Sequence, residues 1–432
     1  MKKLKKMETL ETLKKNHKMQ YSYYNIVKSL GSETLVYNTL TSSFLKIPTS
    51  QWNSISEQSD VEYVSMLVKQ GILVENHQTE INKYKYFFYK NAFANQVLEL
   101  TIAPTMRCNF DCPYCFEGDN KSFPKMTEEV ENAIIQYIIK KSKYQRVNIC
   151  WFGGEPLLAF DKICSISSAL DKKGVKFDAN IITNGSLVTE KVLELLPTLH
   201  LTHIQISLDG VGVEHDKTRR YKNGKPSFLD IDRNIGSILS NTSIKVVLRV
   251  GVDNTHPDSY LKVYDYMSEK YPEAMADKRL EIGSNAIQNR TGFDKGQTCF
   301  SDEQLFDKEK FDLCHNNCFK SSLPGMSIPC MYKKPTSLAI DSRGFIYPCL
   351  ELLGVPDKSV GNIVKGEISF SKQANLLFDD SAFDDEECLT CNVFPICGGG
   401  CPKDREEFKG NKSAYCTFYK KYLADLLPYY VK

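Results

Sequence analysis

Between residues 97 and 282, strand patterns alternate with helical patterns. This restricts the chain more than any other feature, because strands separated by helices pair in parallel. Strands are expected at 97–103, 147–152, 180–183, 204–207, 246–252 and 280–282. Helical spacing of apolar residues fills the intervals at 128–141, 159–172, 190–196, 229–239 and 259–270. Six such units predict an α/β fold, a partial (β/α)6 TIM-like barrel or an open sheet. In either arrangement ligands gather beyond the carboxyl ends of the strands.

The flanks differ from this core. Residues 1–95 read as a separate lobe, with short strands at 23–27, 34–37 and 43–47, turn signals at Gly31-Ser32 and Thr41-Ser42, and a helix at 61–69 stopped by Gly71. Polar and aromatic residues 84–95 are expected to form a connection to the barrel of residues 96–287. Over residues 288–432 the periodicity fades, and ten of the chain's fifteen cysteines lie beyond residue 298. Too little apolar content remains there for an oily core, so cross-linking by metal clusters is the expected source of order.

Bulk properties set the class. The 432 residues are 42% hydrophobic and 25% charged, as in a globular chain with a large core, and the net charge is only +2. The one dense basic run, Lys2, Lys3, Lys5 and Lys6 followed by Lys14, Lys15 and Lys18, reads as a solvated terminus, so no nucleic-acid partner is expected. No apolar stretch is long enough for a membrane span or a signal-peptide core, which points to the cytoplasm. In that reducing compartment, regularly spaced cysteines are metal ligands before they are disulfides.

The first barrel strand is followed by Cys108-Asn-Phe-Asp-Cys112-Pro-Tyr-Cys115. Three thiolates there can hold three irons of a 4Fe–4S cluster and leave the fourth iron open, whereas zinc sites favour paired C-x2-C units and four ligands. This C-x3-C-x-aromatic-C loop resembles the signature of the radical S-adenosylmethionine (SAM) superfamily. Gly153-Gly154-Glu155-Pro156 after the second strand resembles the family's methionine-binding loop, whose backbone and Glu155 would receive the substrate ammonium. Thr183-Asn184-Gly185 and Ser207-Leu208-Asp209-Gly210 resemble segments whose polar side chains, here Asn184 and Ser207, meet ribose and carboxylate. The resemblance implies that the open iron chelates SAM and that one electron breaks its S–C5′ bond. The resulting 5′-deoxyadenosyl radical would then take a hydrogen atom from substrate, with Tyr114 lying by the adenine.

Cys330, Gly344-x4-Cys349, Cys388-x2-Cys391-x5-Cys397-x3-Cys401 and Cys416 resemble the SPASM extension of peptide-modifying radical enzymes, which binds two auxiliary 4Fe–4S clusters. That resemblance implies one cluster on Cys388, Cys391, Cys397 and Cys416 and another on Cys330, Cys349 and Cys401. Some relatives supply a fourth ligand where Pro324 stands here, leaving Cys314, Cys318 or an open iron for that place. Cys150 and Cys164 read as buried free thiols, and Cys299 has no motif around it.

Two related substrate classes compete. Sulfatase-maturing enzymes, which make formylglycine, carry an Asp base directly after the cysteine equivalent to Cys349, where this chain has Leu350 followed by Glu351. The N-terminal lobe, including residues 36–45, resembles the winged-helix element by which maturases of ribosomally made peptides grip a leader, a mode that can add the peptide as a strand. The expectation is therefore a peptide maturase acting on a ribosomally synthesised precursor with a leader. Its electron would come from an external flavodoxin- or ferredoxin-type donor, and its product would be a thioether or other cross-link. A non-catalytic iron–sulfur or zinc scaffold is the reading from a different class. No acid or base is singled out; Glu351, Asp253 and Arg249 occupy suitable places.

Overall fold

The computed structural model describes residues 19–55, 61–94, 96–115, 117–118, 124–143, 145–286, 301–314, 323–378 and 381–430, and these form two compact units. The larger comprises the described residues of Phe93–Leu305 and Met331–Leu377. Its ten-stranded sheet contains the six expected parallel strands as neighbours in chain order: Val97–Ile102, Arg146–Trp151, Phe177–Thr183, Leu201–Leu208, Lys245–Val252 and Leu280–Ala286. Beyond the first of these, Ser337–Ile340 adds in parallel, with Ser337 opposite Glu99. Phe345–Tyr347, Gly361–Asn362 and Glu367–Ile368 then continue antiparallel. Part of the cysteine-rich tail is thus β-structure on the barrel sheet, which its low periodicity did not announce.

Alternation along the strands sorts the side chains. Ile149, Trp151, Ile181, Ile206, Leu248 and Val250 are buried, while Asn148, Asn180, Gln205, Ser207 and Arg249 on the other face are half-buried or exposed. Helices Glu128–Lys141 and Ser259–Lys270 begin and end where the apolar spacing puts them. The first buries Val130, Ile134 and Ile138, one helical stripe, and carries acids in its first turn and lysines in its last, matching the helix dipole. Thr127 caps it by accepting from Val130 N. Thr127→Ala is expected to cost about 1 kcal/mol, read as a lower urea midpoint.

The smaller unit comprises the described residues of Met1–Ala92, Phe306–Cys330 and Phe378–Lys432. Asn25–Leu30, Glu33–Asn38 and Ser43–Pro48 form a three-stranded antiparallel sheet in that order. One face places Ile26, Leu35 and Tyr37 against Leu423 and Leu427 of helix Tyr419–Tyr430; the other packs Val36 with Leu67, Ile72 and Leu73. The expected connection over 84–95 is instead mostly helix, His77–Ala92. Its stripe is Glu80, Tyr84, Phe88 and Ala92, four residues apart and all buried. Glu80 is satisfied there by Ser22 Oγ and Tyr23 N, so a carboxylate stands where an apolar residue would have revealed the helix. Among the described residues no helix is long and apolar enough to cross a membrane.

Candidate active site

The loops at the carboxyl ends of the first four barrel strands interlock. Gly153 has φ +109°, and a Cβ on it would lie 2.3 Å from Thr105 O; one on Gly154 would lie 2.4 Å from both Met106 O and Arg107 O. Gly154 N and Glu155 N donate to Thr105 O (3.3 Å) and Arg107 O (2.8 Å). These glycines therefore serve a close approach between two loops of the protein, in which the second loop braces the segment leading into Cys108. Glu155 is fully buried, and its carboxylate accepts from Thr183 Oγ1 (2.7 Å), Asn184 N (2.8 Å) and Leu157 N (3.1 Å). Burial pushes its pKa up, against the pull of those donors and of Arg219.

Asn184 extends the lattice to the cysteine loop. Its Nδ2 donates to Asn109 Oδ1 (2.8 Å) and reaches Cys108 Sγ (4.0 Å), which also accepts from Phe110 N (3.4 Å). Tyr114 turns its hydroxyl inward, donating to Asp209 Oδ2 and accepting from Arg219 Nη1 (2.9 Å). Burial raises the phenol's pKa far above the usual range, Arg219 opposes this, and Asp209 adds to it. Burial also raises Asp209, against Arg219, Tyr114 and Thr218. Arg219 lies in the field of Tyr114, Cys112 and Asp209, and its buried Nε–H makes no hydrogen bond. Ser207 sits at the end of the fourth strand, in register with Arg249 on the fifth. Asp253 receives Thr255 N, Thr255 Oγ1 and His256 N.

Arg219 escaped the reading of the sequence. The available signal was His215-Asp216-x2-Arg219 shortly after Asp209-Gly210, a charged cluster on the short helix Val213–Thr218 and its end. The structure gives each of its residues a task. Asp216 Oδ1 receives Ser227 N and Phe228 N at the start of the next helix. His215, wholly buried, accepts from Asp209 N at Nδ1 and meets Ser227 Oγ at Nε2, and Ser227 Oγ donates to Arg219 O.

In the smaller unit, Cys388, Cys391, Cys397 and Cys416 line one hollow of ≈ 350 Å³, part of it open to solvent, with Phe394, Gly399, Tyr415, Lys412 and Lys420. Gly399 N, Thr417 N and Gly400 N donate to Cys397, Val393 N to Cys391, and Arg405 Nη1 to Cys388 Sγ (3.7 Å). Burial pushes the Cys388 thiol up to about 11, and raises Cys391 and Cys397. Donors aimed at sulfurs that burial keeps protonated have an anion to stabilise only when metal replaces the protons. The residues therefore fit a fully ligated cluster.

Gly398, Gly399 and Gly400 have φ of +66°, +91° and +84°, and a Cβ on Gly400 would lie 2.0 Å from Tyr415 O, so this cradle admits no side chain. Cys330 and Cys401 belong to the same unit, and Cys349 to the barrel unit. Cys299, Cys318 and the side chain of Cys314 lie outside the described residues. Cys150 and Cys164 are half-buried free thiols. Among the described residues, no three His, Cys, Asp or Glu side chains converge on a point suited to a single metal ion.

A parallel barrel whose strand ends carry three thiols on one loop, braced by a glycine loop and a buried arginine, defines a radical enzyme site. Residues 102–267 match the family model described as Radical SAM superfamily. Those residues form a radical SAM domain, and the chain is a radical SAM enzyme, whose cofactors are an iron–sulfur cluster and SAM.

The chain is similar to the cysteine-type anaerobic sulfatase-maturating enzyme of Clostridium perfringens strain 13, 24% identical over 77% of this chain and 96% of that protein. The serine-type enzyme of Klebsiella aerogenes is 24% identical over 77% and 86%. Among solved structures, native anSMEcpe with bound AdoMet and Cp18Cys peptide superposes with a TM-score of 0.60 at 21% identity, covering 77% of this chain and 97% of that one. Streptococcus suis SuiB bound to precursor peptide SuiA gives 0.52 at 17% identity, covering 92% and 98%.

Proposed function

We propose that this enzyme modifies a ribosomally made precursor peptide, forming a cross-link at an unactivated carbon. SAM with the cluster on Cys108, Cys112 and Cys115 supplies the hydrogen-abstracting radical; the protein's own residues bind and orient. Arg219, with an unused buried N–H beside Cys112, suits the carboxylate of SAM, and Ser207 is the next polar group along the strand ends. The backbone of Gly153 and Gly154 suits its ammonium. Tyr114, its hydroxyl fixed by Asp209 and Arg219, presents its ring beside the cysteines. A flavodoxin- or ferredoxin-type protein is the expected donor of the single electron.

The observation that carries the peptide reading is the N-terminal sheet. Its outer strand Ser43–Pro48 is paired on one side only among the described residues, an edge to which an extended leader can add. Similarity to sulfatase-maturing enzymes supports formylglycine formation as a second reading. Against it, the position after Cys349 is Leu350, packed with Tyr332, Leu352 and Leu353 where a base is required.

The test is anaerobic turnover under reduction with a co-expressed precursor. The wild type should produce 5′-deoxyadenosine and a peptide two hydrogens lighter with one alkylatable thiol consumed, and Cys108→Ala should produce neither. A hydrazide-reactive aldehyde would transfer the assignment to the formylglycine class. Full iron and sulfide content without any 5′-deoxyadenosine would remove the enzymatic reading.

A further inference from the structure

Around the four-cysteine hollow runs a chain of alternating charges that peptide modification does not explain. Arg405 Nη1 donates to Cys388 Sγ (3.7 Å) and to Gly399 O (3.3 Å), and Nη2 donates to Asp385 Oδ2 (2.8 Å). Lys412 Nζ bridges Asp385 Oδ1 (3.0 Å) and Glu387 Oε2 (2.7 Å), and Lys420 Nζ holds Glu387 Oε1 (2.5 Å). Both ends of the chain are cations at sulfur: Arg405 on Cys388, and Lys420 in the field of Cys416 and Cys391. The guanidinium is clamped from a third side by the Tyr415 ring, 5.0 Å from its carbon. Arg405 and Asp385 are largely buried, at 12% and 17% side-chain exposure, whereas Glu387 and Lys420 are 54% and 39% exposed.

We infer that Arg405 is a positioning residue that sets the reduction potential of the cluster held by Cys388, Cys391, Cys397 and Cys416. This rests on the proposal that these cysteines ligate a cluster. Adding an electron makes the cluster and its thiolates more negative, so a fixed positive charge and an N–H donor at one sulfur stabilise the reduced form over the oxidised one. Asp385 also reaches Cys388 and pulls in the opposite direction, but its carboxylate is paired with Lys412 as well as Arg405, which offsets its charge and leaves the Arg405 donor at the sulfur the stronger influence. Two of the glycines act with Arg405: the amides of Gly399 and Gly400 serve Cys397, and Gly399 O accepts from the guanidinium and fixes its plane. Lys420 contributes in the same direction and more weakly, because solvent screens it.

The experiment is potentiometric titration followed by electron paramagnetic resonance, with iron and sulfide counted on each sample. The full chain would carry Cys108→Ala, Cys112→Ala and Cys115→Ala to remove the barrel cluster's signal. Arg405→Gln should lower the midpoint of one auxiliary signal by about tenfold in the reduction equilibrium, ~59 mV for one electron, at unchanged iron content. Arg405→Lys should recover part of the shift by keeping charge without the fork. Lys420→Gln, an exposed change that cannot unfold the site, should shift the same signal in the same direction by less.

Equal midpoints in the parent and Arg405→Gln, with the cluster intact in both, overturn the inference and leave the cluster assignment standing. Loss of the cluster in Arg405→Gln with no shift in Lys420→Gln overturns it as well, since Arg405 then only holds the fold. Unchanged iron content in a Cys388→Ala, Cys397→Ala double variant sinks the cluster assignment itself.

Discussion

Gly154→Ala is expected to cut 5′-deoxyadenosine formation by about 100-fold while the barrel stays folded. The added Cβ would stand 2.4 Å from two backbone carbonyl oxygens, Met106 O and Arg107 O, neither of which can rotate away as a side chain would. Relief requires the 105–107 segment and the Gly154 loop to part by roughly 1 Å, a displacement that can cost about two orders of magnitude when reacting groups must be aligned. The cost falls on turnover because Cys108 follows that segment directly, and Glu155 N binds Arg107 O within it. Gly174→Ala is the control. Unlike Gly154 it has positive φ, at +67°, but nothing lies within 4 Å of its Cβ, so backbone strain of about 1 kcal/mol should lower stability and leave turnover alone. Wild-type turnover in Gly154→Ala would show that the interlocked loops have no part in placing the cysteines.

That expectation could not come from the sequence, although the glycines could. Gly153-Gly154-Glu155 was legible as a loop needing close backbone approach, but a sequence cannot say what approaches, and the contact here is the protein's own cysteine-bearing loop. Likewise Tyr114 was visible inside the cysteine loop, while its partners Asp209 and Arg219 arrive from about a hundred positions further on. Strands and helices of the barrel were legible because each buries one face at a regular period, as with Ile134 and Ile138 or Ile204 and Ile206. His77–Ala92 was not, because its buried stripe is built from Glu80 and Tyr84, residues that composition assigns to the surface. Arg405 lay four residues past the Cys397-to-Cys401 segment and read as one charge in a charged run until its fork met Cys388 Sγ.

Acidification should weaken the barrel through one histidine. Burial, and secondarily the charge of Arg219, depress the His215 pKa from 6.5 to about 3. The folded ring stays neutral where the unfolded one takes up a proton, so the unfolded state binds more protons between those values and stability falls as pH drops through that window. Full above pH 6.5, the contribution should fall by about 1.4 kcal/mol per pH unit, reaching ~2 kcal/mol lost at pH 5 and approaching 5 kcal/mol by pH 3.

Glu155 and Asp209, raised by burial, act with the opposite sign, since protonation on acidification relieves their cost. His203, lowered by burial and Lys245, adds to the loss. The discriminating comparison is therefore wild type against His215→Asn, which can keep a hydrogen bond to Asp209 N without titrating. The variant should be less stable at pH 7, yet its urea-unfolding free energy should change less between pH 7 and 5. Parallel pH profiles for the two proteins would mean that His215 takes up its proton inside the folded barrel. The lattice joining Asp209, Ser227 and Arg219 could then not depend on a neutral ring.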